Sequence, residues 1–470
     1  MSSQARGRIA ACIDDLRPSA GVRGRFEAPR SLAERMASLH APGVAIAVVE
    51  DFRLAWTHAQ GLADIRSDRP VDGDTLFQAG SISKPIFVLG VLRAVQAGRL
   101  DLDEDVNRYL RAWKVPAHGA WQPSITLRQL LSHTAGLNVH GFPGYQASEP
   151  VPTILQILDG RPPANTPGIA LNILPGLQTR YSGGGFTVAQ QVMEDVLGKP
   201  FPQLMRELVL EPLGAFDSTY EQPLPAQLRR RAATAYPWKN NPVKGRFHTY
   251  PEMAAAGLWT TPADLARIGA GLQRILAGQV PAPFLAKEAL EAMLAPQLDV
   301  QPSGADEYRA LGFACGGEGD GAWFGHDGWN EGFVASMRFC RRTGQGAVVM
   351  VNANEGEPIL DELMRAIAAA CGWPEPSRRP APTRPADLPY FTGRYETATG
   401  KVFEISLAGD RLMLRYDQQP PFPIEPVSSL AFAAPNLDMT LQFELSGETR
   451  LLSFTLTQED TMIKAYRHVQ

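Results

Sequence analysis

Strand-like segments stand at both ends of residues 1–372, and this separation constrains the fold more than any other feature. Gly43-Val44-Ala45-Ile46-Ala47-Val48-Val49-Glu50 is a short apolar run followed by Phe52–Thr57, and the pair reads as a hairpin turning near Glu50-Asp51. Three more strand-like stretches come only after residue 310: Leu311–Gly316, Phe333–Arg341 and Gly346–Asn352. Between them the periodicity is helical, at Ser81–Gln96, Thr187–Leu197, Phe201–Leu210, Pro262–Leu276 and Ala286–Leu294. Shorter helices are expected at Asp103–Leu110, Leu127–Leu131 and Val151–Leu158, and a last one at Ile359–Ala370. The expected fold class is α/β in the α+β sense: a sheet assembled from distant parts of the chain, with a helical lobe across a cleft.

With 470 residues, the chain has room for one large catalytic domain and a smaller one. The proline-rich stretch from Trp373 to Pro389 reads as a linker, which divides the chain into residues 1–372, 373–389 and 390–470. Past it, short alternating segments such as Phe403–Leu407, Arg411–Tyr416 and Leu451–Leu456 predict a small antiparallel sheet or barrel. A formal charge of −4, without a basic cluster interleaved with aromatics, argues against a nucleic-acid partner. The apolar run near the N-terminus is too short for a secretory signal and nothing later reads as a membrane span, so the expectation is a cytoplasmic chain without a membrane partner. Cys12, Cys315, Cys340 and Cys371 are widely spaced, and the eight histidines form no metal-binding motif. Neither a cofactor nor a metal is expected.

Ser81 and Lys84 lie three apart where a helix begins, and so on one face of its first turn. A serine needs a base to become a nucleophile, and a desolvated lysine can serve. Such chemistry also needs a second proton-transfer group and donors for an oxyanion. Arg180-Tyr181-Ser182-Gly183-Gly184-Gly185 offers a tyrosine before glycines that permit close approach. Gly325-His326-Asp327-Gly328-Trp329-Asn330 offers polar and flexible residues on an apolar edge, where His326 could meet a substrate carboxylate or carbonyl. His133, in Ser132-His133-Thr134-Ala135-Gly136-Leu137, reads as structural, holding a loop through hydrogen bonds.

Together with Ala256-Gly257-Leu258-Trp259-Thr260-Thr261, these motifs come in the order and at the separations of one large family. Over residues 30–371 the chain resembles the beta-lactamase-related serine hydrolases: class C beta-lactamases, DD-peptidase-type penicillin-binding proteins, D-aminopeptidases and related esterases. The resemblance implies a beta-lactamase/transpeptidase-like fold, with the C-terminal strands resembling a lipocalin-like appendage. It implies Ser81 as the acylated nucleophile, Lys84 hydrogen-bonded to it, and Tyr181 moving protons. His326-Asp327-Gly328 matches the triplet on the cleft strand, with His326 in a catalytic position, and the backbone N–H groups of Ser81 and Trp329 would form the oxyanion site. Gly183 stands where the family usually has an asparagine, so the amide that would hold a substrate carbonyl is missing. His326 stands where class C beta-lactamases have lysine. Substrate contacts are expected from Gly183, Asp327 and Gly328, with Phe142 and Tyr145 lining an apolar acyl site; Phe333 reads equally as pocket or core. The expected activity is cleavage of a small ester, amide or peptide, with little beta-lactamase activity. Acyl transfer to an amine (a peptide cyclase or transpeptidase), a true beta-lactamase or DD-peptidase, and a non-catalytic binding protein are the alternatives. A homo-oligomer is compatible with the sequence.

Overall fold

The structure is a computed structural model that describes residues 3–16, 30–281, 284–297, 307–374, 385–397, 399–409, 411–426, 430–434, 439–446, 450–458 and 461–467. The chain divides into two compact units, one including Pro29–Asp299 and Glu307–Pro376, the other including Ser377–Gln470.

In the first unit the strands are β1 (Gly43–Glu50), β2 (Arg53–Asp64), β3 (Arg69–Pro70), β4 (Phe77–Gln78), β5 (Trp259–Thr260), β6 (Glu307–Arg309), β7 (Ala314–Gly316), β8 (Trp323–Asn330), β9 (Phe333–Cys340) and β10 (Gly346–Val351). Eight of them form one antiparallel sheet in the order β3-β2-β1-β10-β9-β8-β7-β6, while β4 and β5 pair separately. The joining step is β1 against β10, with Ile46 opposite Val349, and it brings the two ends of the unit together. The β1–β2 hairpin turns at Asp51-Phe52, both at positive φ (48° and 63°), as a two-residue turn between twisted strands requires.

Both sheet faces are covered. On one, Val44, Ile46, Val48, Val349 and Val351 pack with Ile359, Leu363 and Ile367 of the Glu357–Ala370 helix. On the other, Ala45, Ala47, Val348 and Met350 join the larger core of the helical lobe, which includes Leu265 and Leu272 of the Pro262–Leu276 helix. Two-sided burial explains why β1 and β10 read as continuous apolar runs.

Several boundaries differ from the sequence reading. Asp103–Leu110 forms only a 3-10 turn at Val106–Arg108, capped by the Asp105 side chain. Phe201–Leu210 splits into an α-helical turn, Phe201–Met205, and a π-helical turn, Arg206–Leu210. The apolar run at Leu311–Gly316 is strand only from Ala314, because Gly312 takes a positive φ (74°).

The second unit is a closed antiparallel barrel: β11 (Gly393–Thr397), β12 (Val402–Ala408), β13 (Arg411–Tyr416), β14 (Phe422–Pro426), β15 (Ala431–Ala433), β16 (Met439–Ser446), β17 (Arg450–Gln458) and β18 (Thr461–Arg467), with β18 pairing back onto β11. Tyr395, Phe403, Phe443 and Phe454 fill its interior edge to face, so the barrel is a packed core. Of the expected linker, residues 375–384 lie outside the described residues. Pro385–Phe391 is a 3-10 helix whose Leu388 and Phe391 belong to the barrel core. The division into 1–372, 373–389 and 390–470 remains a proposal.

Candidate active site

The turn that carries Ser81 is fixed from three sides before any chemistry is considered. The Ala79 N–H donates to Leu258 O (2.9 Å), continuing the β4–β5 pairing. Gly80–Ile82 forms a 3-10 turn that feeds the Ser83–Gln96 helix. The buried Ser83 hydroxyl donates to Gly80 O (2.6 Å) and accepts from the Leu258 N–H (3.0 Å). Gly80 has φ +50°, and a Cβ there would lie 2.5 Å from Trp329 N. A Cβ at Gly328 would lie 2.0 Å from Ala79 O. The turn and strand β8 therefore touch backbone to backbone, and only glycine fits on either side.

Lys84 is 2% exposed. Its Nζ donates to Ser81 Oγ (3.0 Å) and to Ala255 O (2.8 Å), and it faces the rings of Tyr181 (4.9 Å) and Phe186 (5.7 Å). The lysine nitrogen is thus held in a mostly apolar surround against the Ser81 hydroxyl.

Tyr181 is half-buried just ahead of Ser182, which caps the Gly183–Leu197 helix. His133 sets its position. The two rings stack at 4.2 Å, His133 Nδ1 accepts from the Ser182 N–H (3.1 Å), and His133 O accepts from the Arg180 N–H (2.7 Å). His133 takes a positive φ (61°), a strained conformation that this set of contacts stabilises. Burial, then the charges of Lys84, His326 and Arg309, hold its imidazole well below the ordinary histidine range. The loop-holding role expected of His133 matches these contacts.

His326 sits on β8, 7% exposed. Its Nδ1 lies 2.6 Å from Asp327 O; a carbonyl only accepts, so Nδ1 carries the proton and Nε2 is a bare acceptor. Burial first, then the Lys84 and Arg309 charges, push the imidazole down to about 3, so it stays neutral at ordinary pH. The expectation that His326 could meet a substrate carboxylate or carbonyl stays open: in this state the ring is neutral and offers an acceptor at Nε2.

Asp327, Gly328 and Trp329 line the same cavity as Ser81, Tyr181 and His326, with the Trp329 side chain 51% exposed. Tyr145 does not line it. It is 2% exposed, its hydroxyl accepts from the Asn165 N–H (3.1 Å), and its backbone pairs with Thr249, so these contacts bury the ring. Phe142 is also displaced from the acyl site: its ring lies beside Gly183, where an added Cβ would be 2.9 Å from Phe142 Cε2 and 3.0 Å from His140 O. Gly183 thus leaves room for Phe142 and donates its N–H to His140 O (2.8 Å). Phe333 is fully buried against Phe77 and Trp259, in the core.

Sequence reasoning missed Arg309, on the cavity rim with its guanidinium 6.0 Å from the Tyr181 ring, and the Ala255 carbonyl that holds Lys84. It also missed Glu252, fully buried just before the Met253–Ala256 helix, with neither carboxylate oxygen partnered among the described residues. Burial pushes this carboxyl up to about 8, from 4.5. A raised folded pKa means stability present below about 4.5 and lost as pH rises through about 8. The Glu252→Gln protein should lack this loss, which denaturant midpoints at pH 5 and pH 8.5 would reveal. An equal slope in both proteins would mean that Glu252 is solvated or paired.

Among the described residues no group of three or more His, Cys, Asp or Glu side chains is arranged to hold a metal, and no helix is long and apolar enough to cross a membrane.

A family model described as Beta-lactamase matches residues 29–371. The esterase EstB of Burkholderia gladioli is 32% identical over 216 residues, 43% of this chain and 53% of that protein, so the chain spans about half the length of this relative. Penicillin-binding protein 4 of Amycolatopsis lactamdurans is 26% identical over 381 residues, 77% of this chain and 94% of that protein. Among solved structures, the octameric penicillin-binding protein homologue from Pyrococcus abyssi aligns with a TM-score of 0.62 at 19% identity, covering 92% of this chain and 98% of that one. SurE with D-Leu aligns with a TM-score of 0.58 at 24% identity, covering 93% and 97%. At these identities the two structures show the shared fold.

Proposed function

The chain belongs to the beta-lactamase family of serine hydrolases, and on that premise we propose that it forms an acyl-enzyme on Ser81 and cleaves a small ester, amide or peptide. The observation that carries this reading is the buried Lys84 Nζ, 3.0 Å from the Oγ of Ser81, which itself opens onto the cavity. In the proposed cycle the neutral Lys84 amine takes the Ser81 proton as Oγ attacks the substrate carbonyl. The backbone N–H groups of Ser81 and Trp329 stabilise the oxyanion. As the tetrahedral species collapses, a proton passes through Lys84 and Tyr181 to the leaving alcohol or amine. Water then attacks the acyl-enzyme, and its proton returns through the same pair to Ser81 Oγ, releasing the acid.

Esterase-type cleavage is favoured because Phe142 fills the space at Gly183, so no side-chain amide there can hold a substrate amide carbonyl. The similarity to the esterase EstB supports this reading. Nitrocefin turnover should accordingly be weak beside that of short p-nitrophenyl esters. Transfer of the acyl group to an amine uses the same intermediate, and product analysis separates ligated or cyclic product from free acid. A homo-oligomer belongs with these proposals, by analogy with the octameric homologue; light scattering after size exclusion tests it.

The direct test is a fluorophosphonate probe followed by intact-mass measurement. Wild type should gain one adduct and Ser81→Ala none. An unlabelled wild type removes the catalytic reading, whereas a labelled Ser81→Ala protein removes Ser81 as the nucleophile.

A further inference from the structure

Side chains alternate along a strand, so His326, Gly328 and Asn330 share one face of β8. The first lines the cavity and the second abuts Ala79 O. The third is buried and has no place in the cycle proposed above. Asn330 Nδ2 donates to Gln78 Oε1 (3.0 Å) and to Ala256 O (3.1 Å). A backbone carbonyl only accepts, so the amide must turn its nitrogen toward Ala256. The same logic orients Gln78: its Nε2 donates to His248 O (2.7 Å), which leaves Oε1 for Asn330.

Each of the three elements that meet at this one amide nitrogen delivers a different part of the site. Strand β8 carries Trp329 N, one residue before Asn330. Strand β4 ends at Gln78 and leads through Ala79 into the turn of Ser81. The Met253–Ala256 helix presents Ala256 O to Asn330 and, one residue earlier, Ala255 O to Lys84 Nζ (2.8 Å). A helix of one turn does not hold its own geometry, so Ala255 O needs an outside anchor. The glycine contacts at Gly80 and Gly328 set how near β8 and the Ser81 turn can come. They do not pull the two together; the Asn330 hydrogen bonds do.

We propose that Asn330 is a positioning residue, whose amide fixes Trp329 N, the Ser81 turn and the carbonyl that holds Lys84 relative to one another. This role presupposes the acyl-enzyme on Ser81. Asn330→Leu keeps the branched shape of the side chain and removes both donations. For short p-nitrophenyl esters kcat should fall about tenfold or more while KM stays within about twofold, since misplaced groups act on the transition state. Asn352→Ala is the matched control. Asn352 is also fully buried and donates to Leu62 O (3.2 Å), Ala63 O (3.4 Å) and Thr234 O (3.1 Å), none of which belongs to an element carrying a reacting group. Its Tm should drop while kcat per folded molecule stays at the wild-type value. Gln78→Met removes one acceptor and leaves Ala256 O, so it should lose less. The double variant should be no slower than Asn330→Leu alone, within about twofold.

Hydrogen exchange reads the same contact without turnover. The Ala255 and Ala256 N–H groups donate to Glu252 O, and that of Gly257 to Met253 O. These amides should exchange about tenfold or more faster in Asn330→Leu and at the wild-type rate in Asn352→Ala. A wild-type kcat in Asn330→Leu, a loss confined to KM, an equal kcat loss in Asn352→Ala, or unchanged exchange would each overturn the proposal. Should Asn330→Leu not fold, Gln78→Met decides by the same two readouts. Should wild type show neither turnover nor a fluorophosphonate adduct while exchange rises as expected, the acyl-hydrolase reading fails and the three-way anchor stands.

Discussion

Replacing Lys84 by methionine is expected to lower kcat/KM for short esters on the order of a thousandfold or more, with little change in Tm. Methionine keeps an unbranched chain against the Tyr181 and Phe186 rings, so the packing survives. What disappears is the nitrogen that bridges Ser81 Oγ and Ala255 O. Ala255 O loses a donor, which costs about 1–3 kcal/mol, but a buried polar group is removed at the same time, and the two changes offset. The informative comparison is with Ser81→Ala: both proteins should be nearly inactive, but only Lys84→Met retains a hydroxyl that a reactive fluorophosphonate can slowly label. Turnover within tenfold of wild type would mean that another group deprotonates Ser81.

The legible parts of this molecule are those whose signal is local. Ser81 and Lys84 are three apart on a helix, and that spacing alone brings Nζ to Oγ. Strands β1 and β10 are apolar throughout because both faces of the sheet are covered. Strand β8 was harder to read. His326, Asp327 and Asn330 interrupt it, and Gly325 and Gly328 look like turn residues, yet the whole of Trp323–Asn330 is strand. Its glycines are there because Met337 O and Ala79 O lie 2.2 and 2.0 Å from where their Cβ atoms would be. In the barrel, Phe422–Pro426 carries prolines that hide a strand which shows only when β13 and β15 pair with it. The least legible parts depended on backbone atoms or on depth. Nothing in Ala255 announces that its carbonyl holds the lysine, and nothing in Tyr145 says that it is buried away from the cavity lining. The protonation of His326 was equally hidden, because it follows from a carbonyl one residue away and two charges brought close by folding.

That close backbone contact makes Gly328→Ala the second large effect. A methyl group at Gly328 would sit 2.0 Å from Ala79 O, and neither atom belongs to a flexible side chain. The strand must move off the nucleophile turn, and Trp329 N moves with it, since it follows directly. On the other side of the contact Gly80 already places Trp329 N where a Cβ would lie, so the turn cannot follow the strand without losing its own φ of +50°. Losing one oxyanion donor costs about 2.7–4 kcal/mol of transition-state stabilisation, or roughly 100- to 1,000-fold in kcat. Because the donor acts mainly on the developing charge, kcat should fall far more than KM changes. Ser81 and Lys84 are untouched, so the fluorophosphonate adduct should still form, only more slowly. Gly73→Ala is the matched control: an added Cβ there has nothing within 4 Å, and its activity should equal wild type. Were Gly328→Ala to keep a wild-type kcat while Gly73→Ala did the same, the strand would be free to shift without cost, and Trp329 N could not be the oxyanion donor.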